Sequence, residues 1–465
     1  MIEGGPALAT EAINAAIAHA HARGGGEVVL PAGRHLSFSI RLLSGVTLRL
    51  EEGCVLEAAD PALHGGAYDP AEPNPHDLWQ DFGHSHWRNS LIWGEDLEDV
   101  AILGPGRIDG AGLTREGPGS RWSRQSGEFP LSMAGLSAEA MAELSPAIEA
   151  MVGLGNKAIA LKRVKRARIE GLTIFRGGHF AVLASGCEDL VLRDLIIDTN
   201  RDGLDIDACR DVLVSGCRVN TPNDDAIVLK SSLALGEPIA TERVTIERCE
   251  VSGFDLGTML DGTFGRTQQR APDQDRVTGR IKLGTESNGG FRDIVVRDCR
   301  FTRSRGLALE VVDGGTMENV MVERLVMQEV TTAPIFLRVG DRRRGPEGTP
   351  VGAMRNIVLR EITATDILPD YAATIAGLPD APIANVTLSN IRLSYRGGGL
   401  AGWAERPGDL PEAYPEPSMF GPSPAHGLWA RHVDGLKIEK LSIETETPDR
   451  RPERLFENVR QTEAS

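Results

Sequence analysis

Residues 167–174 read ARIEGLTI, and the same outline returns as LVLRDLII at 190–197, VLVSGCRV at 212–219 and VTIERCEV at 244–251. Apolar side chains fall at positions 0, +2, +5 and +7 of each stretch. Alternation by two, a two-residue bend and alternation again describes two short strands meeting at a corner. Further copies begin at Ile294, Val320, Ile357, Val386 and Leu436. The shortest steps between copies are 22 and 23 residues. That is too few for a strand plus a long helix and enough for one coil of three short strands. Stacked coils of this length predict an all-β fold, a right-handed parallel β-helix. A leucine-rich repeat has a similar period but needs the L-x-x-L-x-L-x-x-N line, which is absent.

The composition agrees. The chain has 465 residues with 53 Gly, 27 Pro and only 5% aromatics, which favours many short strands and turns. No apolar run is long enough to predict a transmembrane helix, so no membrane partner is expected. The net charge of −16 argues against a nucleic-acid partner. It leaves room for an acidic sugar held by a few local cations. Six cysteines without a C-x-x-C pair predict neither a disulfide scaffold nor a zinc site. Cys217, Cys249 and Cys299 share the +5 position, and Cys187 and Cys209 lie 22 apart, so these thiols are expected to stack in the core. The first residues lack a basic segment followed by an apolar one, which fits a cytosolic chain or an exported one without its leader.

One β-helix domain is expected over 1–465. Within it, 1–30 forms an N-terminal cap whose helix, TEAINAAIAHAHA (10–22), has Thr10 as its N-cap and covers the exposed strand edges of the solenoid. Residues 115–155, with the helical stretch LSAEAMAELSPAIEAM, and the Gly/Pro-rich 395–434 break the repeat. Both read as excursions that wall a cleft.

Stacking turns sequence offsets into columns. FAVLASG (180–186), GLDIDAC (203–209) and AIVLKSS (226–232) align at an offset of 23. This register points Ala181, Leu204 and Ile227 inward, with Leu183, Ile206 and Leu229. The outward columns are then His179, Asp202 and Asp225; Val182, Asp205 and Val228; Ala184, Asp207 and Lys230. Asp224 brings the face to five carboxylates, whose mutual repulsion keeps some of them protonated. A charged solenoid surface explains Asp205 or Asp207 taken singly. It does not explain Asp202 together with the Asp224–Asp225 doublet, because vicinal acids beside an apolar strand gain nothing structurally. Carboxylates of unequal pKa suit glycoside hydrolysis, one donating a proton to the leaving oxygen and another activating water. Separation by one coil allows the ~6.5–9.5 Å gap of an inverting enzyme.

NRDGLDID (200–207) followed by NDDAIVLKS (223–231) resembles the active core of glycoside hydrolase family 28, the polygalacturonase family, whose members carry Asn-Thr-Asp and then Asp-Asp one coil later. Residues 24–59 resemble the family's N-terminal segment. GPGRIDGAG (104–112) resembles its Gly-x-Gly-x-Ile-Asp-Gly turn, and 414–436 resemble the C-terminal part of bacterial exo-acting members. The resemblance implies a pectin-lyase-like solenoid, periplasmic or secreted, working without cofactor or metal. It implies exo-acting, inverting hydrolysis of an acidic oligosaccharide or polysaccharide, pectic in type with galacturonosyl or rhamnogalacturonan linkages. It implies Asp224 as general acid, and Asp202 and Asp225 as the pair that positions and deprotonates water. Asn200 matches the family's Asn, and Arg201 replaces its Thr.

The family's Gly-His-Gly motif is missing, since neither SGFDLGTML (252–260) nor VTGRIKLGTES (277–287) has a histidine. Its Arg-Ile-Lys motif is either Arg280-Ile281-Lys282 or, in another register, replaced by Ala308-Leu309-Glu310. His179 is a candidate for the missing histidine. Lys230 either pairs with Asp207 or binds a sugar carboxylate. The expected substrate-binding set is therefore His179, Asn200, Arg201, Asp207, Lys230, Arg280 and Lys282. The segment 264–279, with Arg266, Arg270 and Arg276, is expected to reshape subsites. Trp122, Trp403 and Trp429 are either sugar platforms or loop anchors. His84 and His86 lack partners at metal-ligand spacing. Two other readings compete: a polysaccharide lyase using Ca²⁺ on the acids with Lys282 as base, and a non-catalytic carbohydrate-binding β-helix.

Overall fold

In the computed structural model, which describes residues 7–124 and 126–462, the chain winds into a right-handed parallel β-helix. Residues 1–6 of the expected cap, Gln125 of the first excursion and 463–465 of the expected domain lie outside the described residues. Among the described residues, no helix is long and apolar enough to cross a membrane.

The repeat positions are the core. Leu190 pairs in register with Val212, Val212 with Val244, Val244 with Ile294 and Ile294 with Val320. The column continues through Ile357, Val386 and Leu436. All eight are buried, and so are their +2, +5 and +7 partners until the last coil, where Ile438, Leu441 and Ile443 are half-buried. The two-residue bend has a backbone cause. The residue at +4 lies in the left-handed region in coil after coil: Gly171, Asp194, Gly216, Arg248, Asp298, Arg324, Glu361, Asn390 and Lys440. Glycine adopts it without strain, and the others accept a small cost to turn the corner. Cross-coil pairs such as Arg324 with Asp298 at 2.6 Å lie along this ridge. All six cysteines are buried and free.

Helix α1 (Thr10–Ala22) lies over the first coil, with Ile13 and Ile17 fully buried. Thr10 is not its N-cap. Ala9 takes that position, and the Thr10 hydroxyl accepts the Phe38 N–H at 2.9 Å. The reason is the preceding chain, where the Ala9 N–H donates to the Leu36 carbonyl at 2.8 Å and, by anchoring to the sheet edge, starts the helix one residue early.

The face that concerns function is built from five adjacent parallel strands: β1 (Phe180–Ser185), β2 (Asp202–Asp207), β3 (Ile227–Ser231), β4 (Ile281–Ser287) and β5 (Leu307–Val311). Here one expected register is wrong. Leu204 stacks on Val182, an offset of 22, and on Ile227, an offset of 23. The turn from Asp198 to Leu204 is one residue shorter than the turn from Phe175 to Val182. A one-residue slip exchanges faces. Val182 therefore points inward, while Leu183 points outward and packs with Phe180 and Trp87 under the loop around residue 87. Phe180, not His179, stacks on Asp202, and Ser185, not Ala184, on Asp207. The Asp205–Val228 and Asp207–Lys230 pairings stand as expected.

Candidate active site

Asp202 opens β2, and Asp224 and Asp225 occupy the turn just before β3, one coil later. Oxygens of the three carboxylates lie within 4.8 Å of one another. This is tighter than the ~6.5–9.5 Å expected for an inverting pair. Asp202 and Asp225 sit at the floor with side chains 5% exposed, and Asp224 at 32% faces outward. The doublet is fixed by its own turn. The Thr221 hydroxyl donates to the Asp224 carbonyl at 2.7 Å, and the Gly203 N–H donates to the Asp225 carbonyl at 3.0 Å.

The environments of the floor acids differ. Burial raises the Asp202 pKa well above the usual carboxylate range, and the Asp224 charge adds to it. One oxygen of Asp202 has no hydrogen-bond partner among the described residues. Burial acts on Asp225 too, but Arg280 and then Lys282 outweigh it and pull its pKa down to about 2. Arg280 Nε donates to Asp225 at 2.6 Å, and Lys282 Nζ lies 3.5 Å away.

Ile281 pairs with Ile227 inside the solenoid, and Arg280 and Lys282 flank it outward. This register puts Arg280-Ile281-Lys282 beside the acids. Ala308 stands one coil further, next to Lys282, and Glu310 reaches back to Lys282 at 3.4 Å. Between Leu283 and Ser287 the register shifts, a bulge that presents Thr285 and Glu286 to the cavity.

These groups line a cavity of about 190 Å³. Its walls come from segments outside the repeat. Arg115, Glu116, Glu128 and Phe129 are contributed by 115–155, Pro272 and Asp273 by 264–279, and Tyr414 and Glu416 by 395–434.

Several expected site residues are elsewhere. His179 does not reach the cavity wall. It is 1% exposed, behind Arg201, whose Nη1 donates to His179 Nδ1 at 3.1 Å. Burial first, then Arg201, lowers its pKa well below the usual imidazole value, so it is a neutral acceptor. Asn200 is half-buried off the wall. Asp207 is fully buried and accepts the Ser232 N–H and hydroxyl, each at 2.7 Å, and pairs with His84 Nε2 at 3.1 Å. Lys230 consequently pairs with Asp205 at 2.8 Å rather than with Asp207. Arg201 is in place, its Nε 3.2 Å from Asp224. Trp122 and Trp429 are buried, and Trp403 stacks on Arg451, so none of them lines the cavity. Arg266 and Arg276 pair with Glu329 and Asp370 away from it.

Sequence reasoning missed Glu286, Glu310, Arg305, Arg344 and Glu416. A coil-by-coil register places the first two. The others come from loops whose return to the wall leaves no periodic signal.

Comparison with known proteins is consistent with this geometry. The family model described as glycosyl hydrolases family 28 matches residues 151–251, which contain all three acids. A probable polygalacturonase of Vitis vinifera is 23% identical over 455 residues, covering 90% of this chain and 79% of that protein. Among solved structures, a hyperthermoactive exopolygalacturonase from Thermotoga maritima aligns with a TM-score of 0.65 at 19% identity, covering 95% of this chain and 89% of its own. A family 28 exopolygalacturonase from Yersinia enterocolitica aligns with a TM-score of 0.60 at 16% identity, covering 99% and 76%.

Proposed function

We propose that the chain is a glycosidase of the glycosyl hydrolase family 28 type, an exo-acting, inverting hydrolase of pectic oligosaccharides. The observation that carries the reading is the convergence of Asp202, Asp224 and Asp225 within 4.8 Å in a cavity walled by loops. Exo action follows from size. The cavity volume of about 190 Å³ is below the ~300–1,000 Å³ of ordinary ligand pockets. It suits one terminal residue rather than a run of them. The excursions 115–155 and 395–434 act as its walls.

The chemistry follows from the unequal acids. In the resting site Asp202 holds a proton, because burial and then the Asp224 charge raise its pKa. Asp224, which faces the cavity, takes that proton over and delivers it to the leaving glycosidic oxygen. Asp202, now an anion and intrinsically basic, accepts a proton from water. Asp225, fixed as an anion by Arg280 and Lys282, orients that water by accepting its second hydrogen. The water oxygen bonds to the anomeric carbon as the bond to the leaving oxygen breaks. The proton ends on Asp202, which restores the resting site. The short carboxylate spacing suits a single water bridging Asp202 and Asp225.

The test is a screen of pectic and rhamnogalacturonan oligosaccharides with the anomer of the first product read by NMR. Inversion, with loss of turnover in Asp224→Asn, is expected. A retained anomer defeats the bridged-water mechanism, and no turnover on any glycoside defeats the hydrolase reading.

A further inference from the structure

We infer that the glycosyl residue this cavity accepts is a neutral sugar, a hexose or deoxyhexose, and not a uronate, because the protein's own carboxylates already occupy Arg280, Lys282 and most of the other cations that line it. The inference rests on the hydrolase reading above and narrows its substrate.

A uronate binds where a buried cation offers unfilled donors, as an Arg fork does. The cavity has seven cationic side chains and nine carboxylates on its lining. Even with Asp202 protonated, the lining carries no positive excess. Five of the seven cations are taken up by carboxylates: Arg280, Lys282, Arg305, Arg344 and Lys230. Arg280 uses Nε on Asp225 and both terminal nitrogens on Glu416, at 2.5 and 3.0 Å. Lys282 is shared by Glu310 and Asp225, at 3.4 and 3.5 Å. Arg305 is bidentate on Asp273, at 2.7 and 2.8 Å, and touches Glu416 at 3.2 Å. Arg344 joins Glu128 and Glu286, and Lys230 joins Asp205, while Arg115 Nε lies 3.1 Å from Glu116 without a hydrogen bond to it. Arg201 faces Asp224.

At the paired cations a substrate carboxylate would have to displace a protein carboxylate and leave it buried without its partner, which is costly. A hydroxymethyl or methyl group in that place displaces nothing. The carboxylates, as acceptors, hold sugar hydroxyls.

The test uses the full chain against p-nitrophenyl α- and β-glycosides of galactose, rhamnose, arabinose and xylose, the matching galacturonides, and trigalacturonate. Galactose and galacturonate differ only in the group at issue. The expected result is kcat/KM at least tenfold higher on the best neutral glycoside than on the best uronate. Equal or higher rates on uronates overturn the inference and leave the hydrolase reading intact. Hydrolysis of neither class overturns the hydrolase reading, and the inference with it. Glu416→Gln removes one of the two acceptor oxygens and so releases at least one terminal nitrogen of Arg280. In that variant the uronate-to-neutral ratio of kcat/KM is expected to rise at least tenfold. An unchanged ratio in a folded variant overturns the pairing argument, and should the variant not fold, the wild-type panel decides.

Discussion

Arg280 and Asp225 form a buried ion pair at 2.6 Å, with side chains 3% and 5% exposed. The pair does two jobs, fixing one water-orienting carboxylate as an anion and neutralising a charge the solenoid could not otherwise bury. Removing one partner of such a pair costs ~3–5 kcal/mol because the other is left uncompensated. Arg280→Gln is therefore expected to lower the melting temperature and to reduce kcat by about 10²-fold. The pH dependence has a definite sign. Asp225 has a depressed folded pKa of about 2, below the ~3.9 of an unfolded Asp. Its stabilisation is present above the unfolded value and disappears as pH falls through the folded one. In Arg280→Gln the loss begins at higher pH, and denaturation curves across pH 2–7 check this.

Asp202 behaves oppositely. Its folded pKa is raised by burial and then by Asp224, so the native state holds a proton that the unfolded chain releases. The native state loses stability as pH rises from the unfolded value through the folded one. Asp202→Asn removes that penalty. The variant is expected to be inactive yet more stable than the parent at pH 7, by about 1–3 kcal/mol. The advantage closes near pH 3, where the carboxyl is protonated in both states. Equal melting temperatures at pH 7 would mean that Asp202 is not strained in the resting site.

The coil repeat and the acidic doublet were legible in the chain because both are local patterns. Side chains at 0, +2, +5 and +7 report the corner directly, and Asp224–Asp225 stands out beside an apolar strand. The offset between β1 and β2 was not, because it depends on a turn one residue shorter, which no apolar periodicity records. That slip exchanged Val182 for Leu183 and His179 for Phe180. Glu416 was hidden for a different reason. It meets Arg280 across 136 positions, through a loop whose path is set by packing. Asp207 shows a third kind of failure. It lies in the expected column beside Lys230, but Ser232 and His84 offer better hydrogen bonds, so its carboxylate turns away.

Chelation is expected to leave the activity unchanged. The acid triad has metal-like spacing, yet ammonium or guanidinium groups already crowd each member: Arg280 and Lys282 at Asp225, Arg201 at Asp224 and Lys230 at Asp202. A divalent cation would enter against these charges. Dialysis against EDTA followed by assay checks this, together with a scan of products for ultraviolet absorbance. Lost activity restored by Ca²⁺, with an unsaturated product, would convert the assignment to a lyase.

Arg201 and His179 are expected to act as one unit. The guanidinium touches Asp224 at 3.2 Å and His179 Nδ1 at 3.1 Å. His179 itself stays off the cavity wall, so it positions Arg201 rather than contacting sugar. His179→Ala should then lower kcat about tenfold with KM nearly unchanged, while Arg201→Ala lowers kcat by about 10²-fold. Residues sharing one contact are not additive, so the double variant should be no slower than Arg201→Ala. A further tenfold loss in the double variant, or a rise of KM in His179→Ala, would place the histidine in direct contact with substrate. His179→Gln supplies the control, since its amide oxygen can accept the same guanidinium proton and restore most of kcat if positioning is the whole of its role.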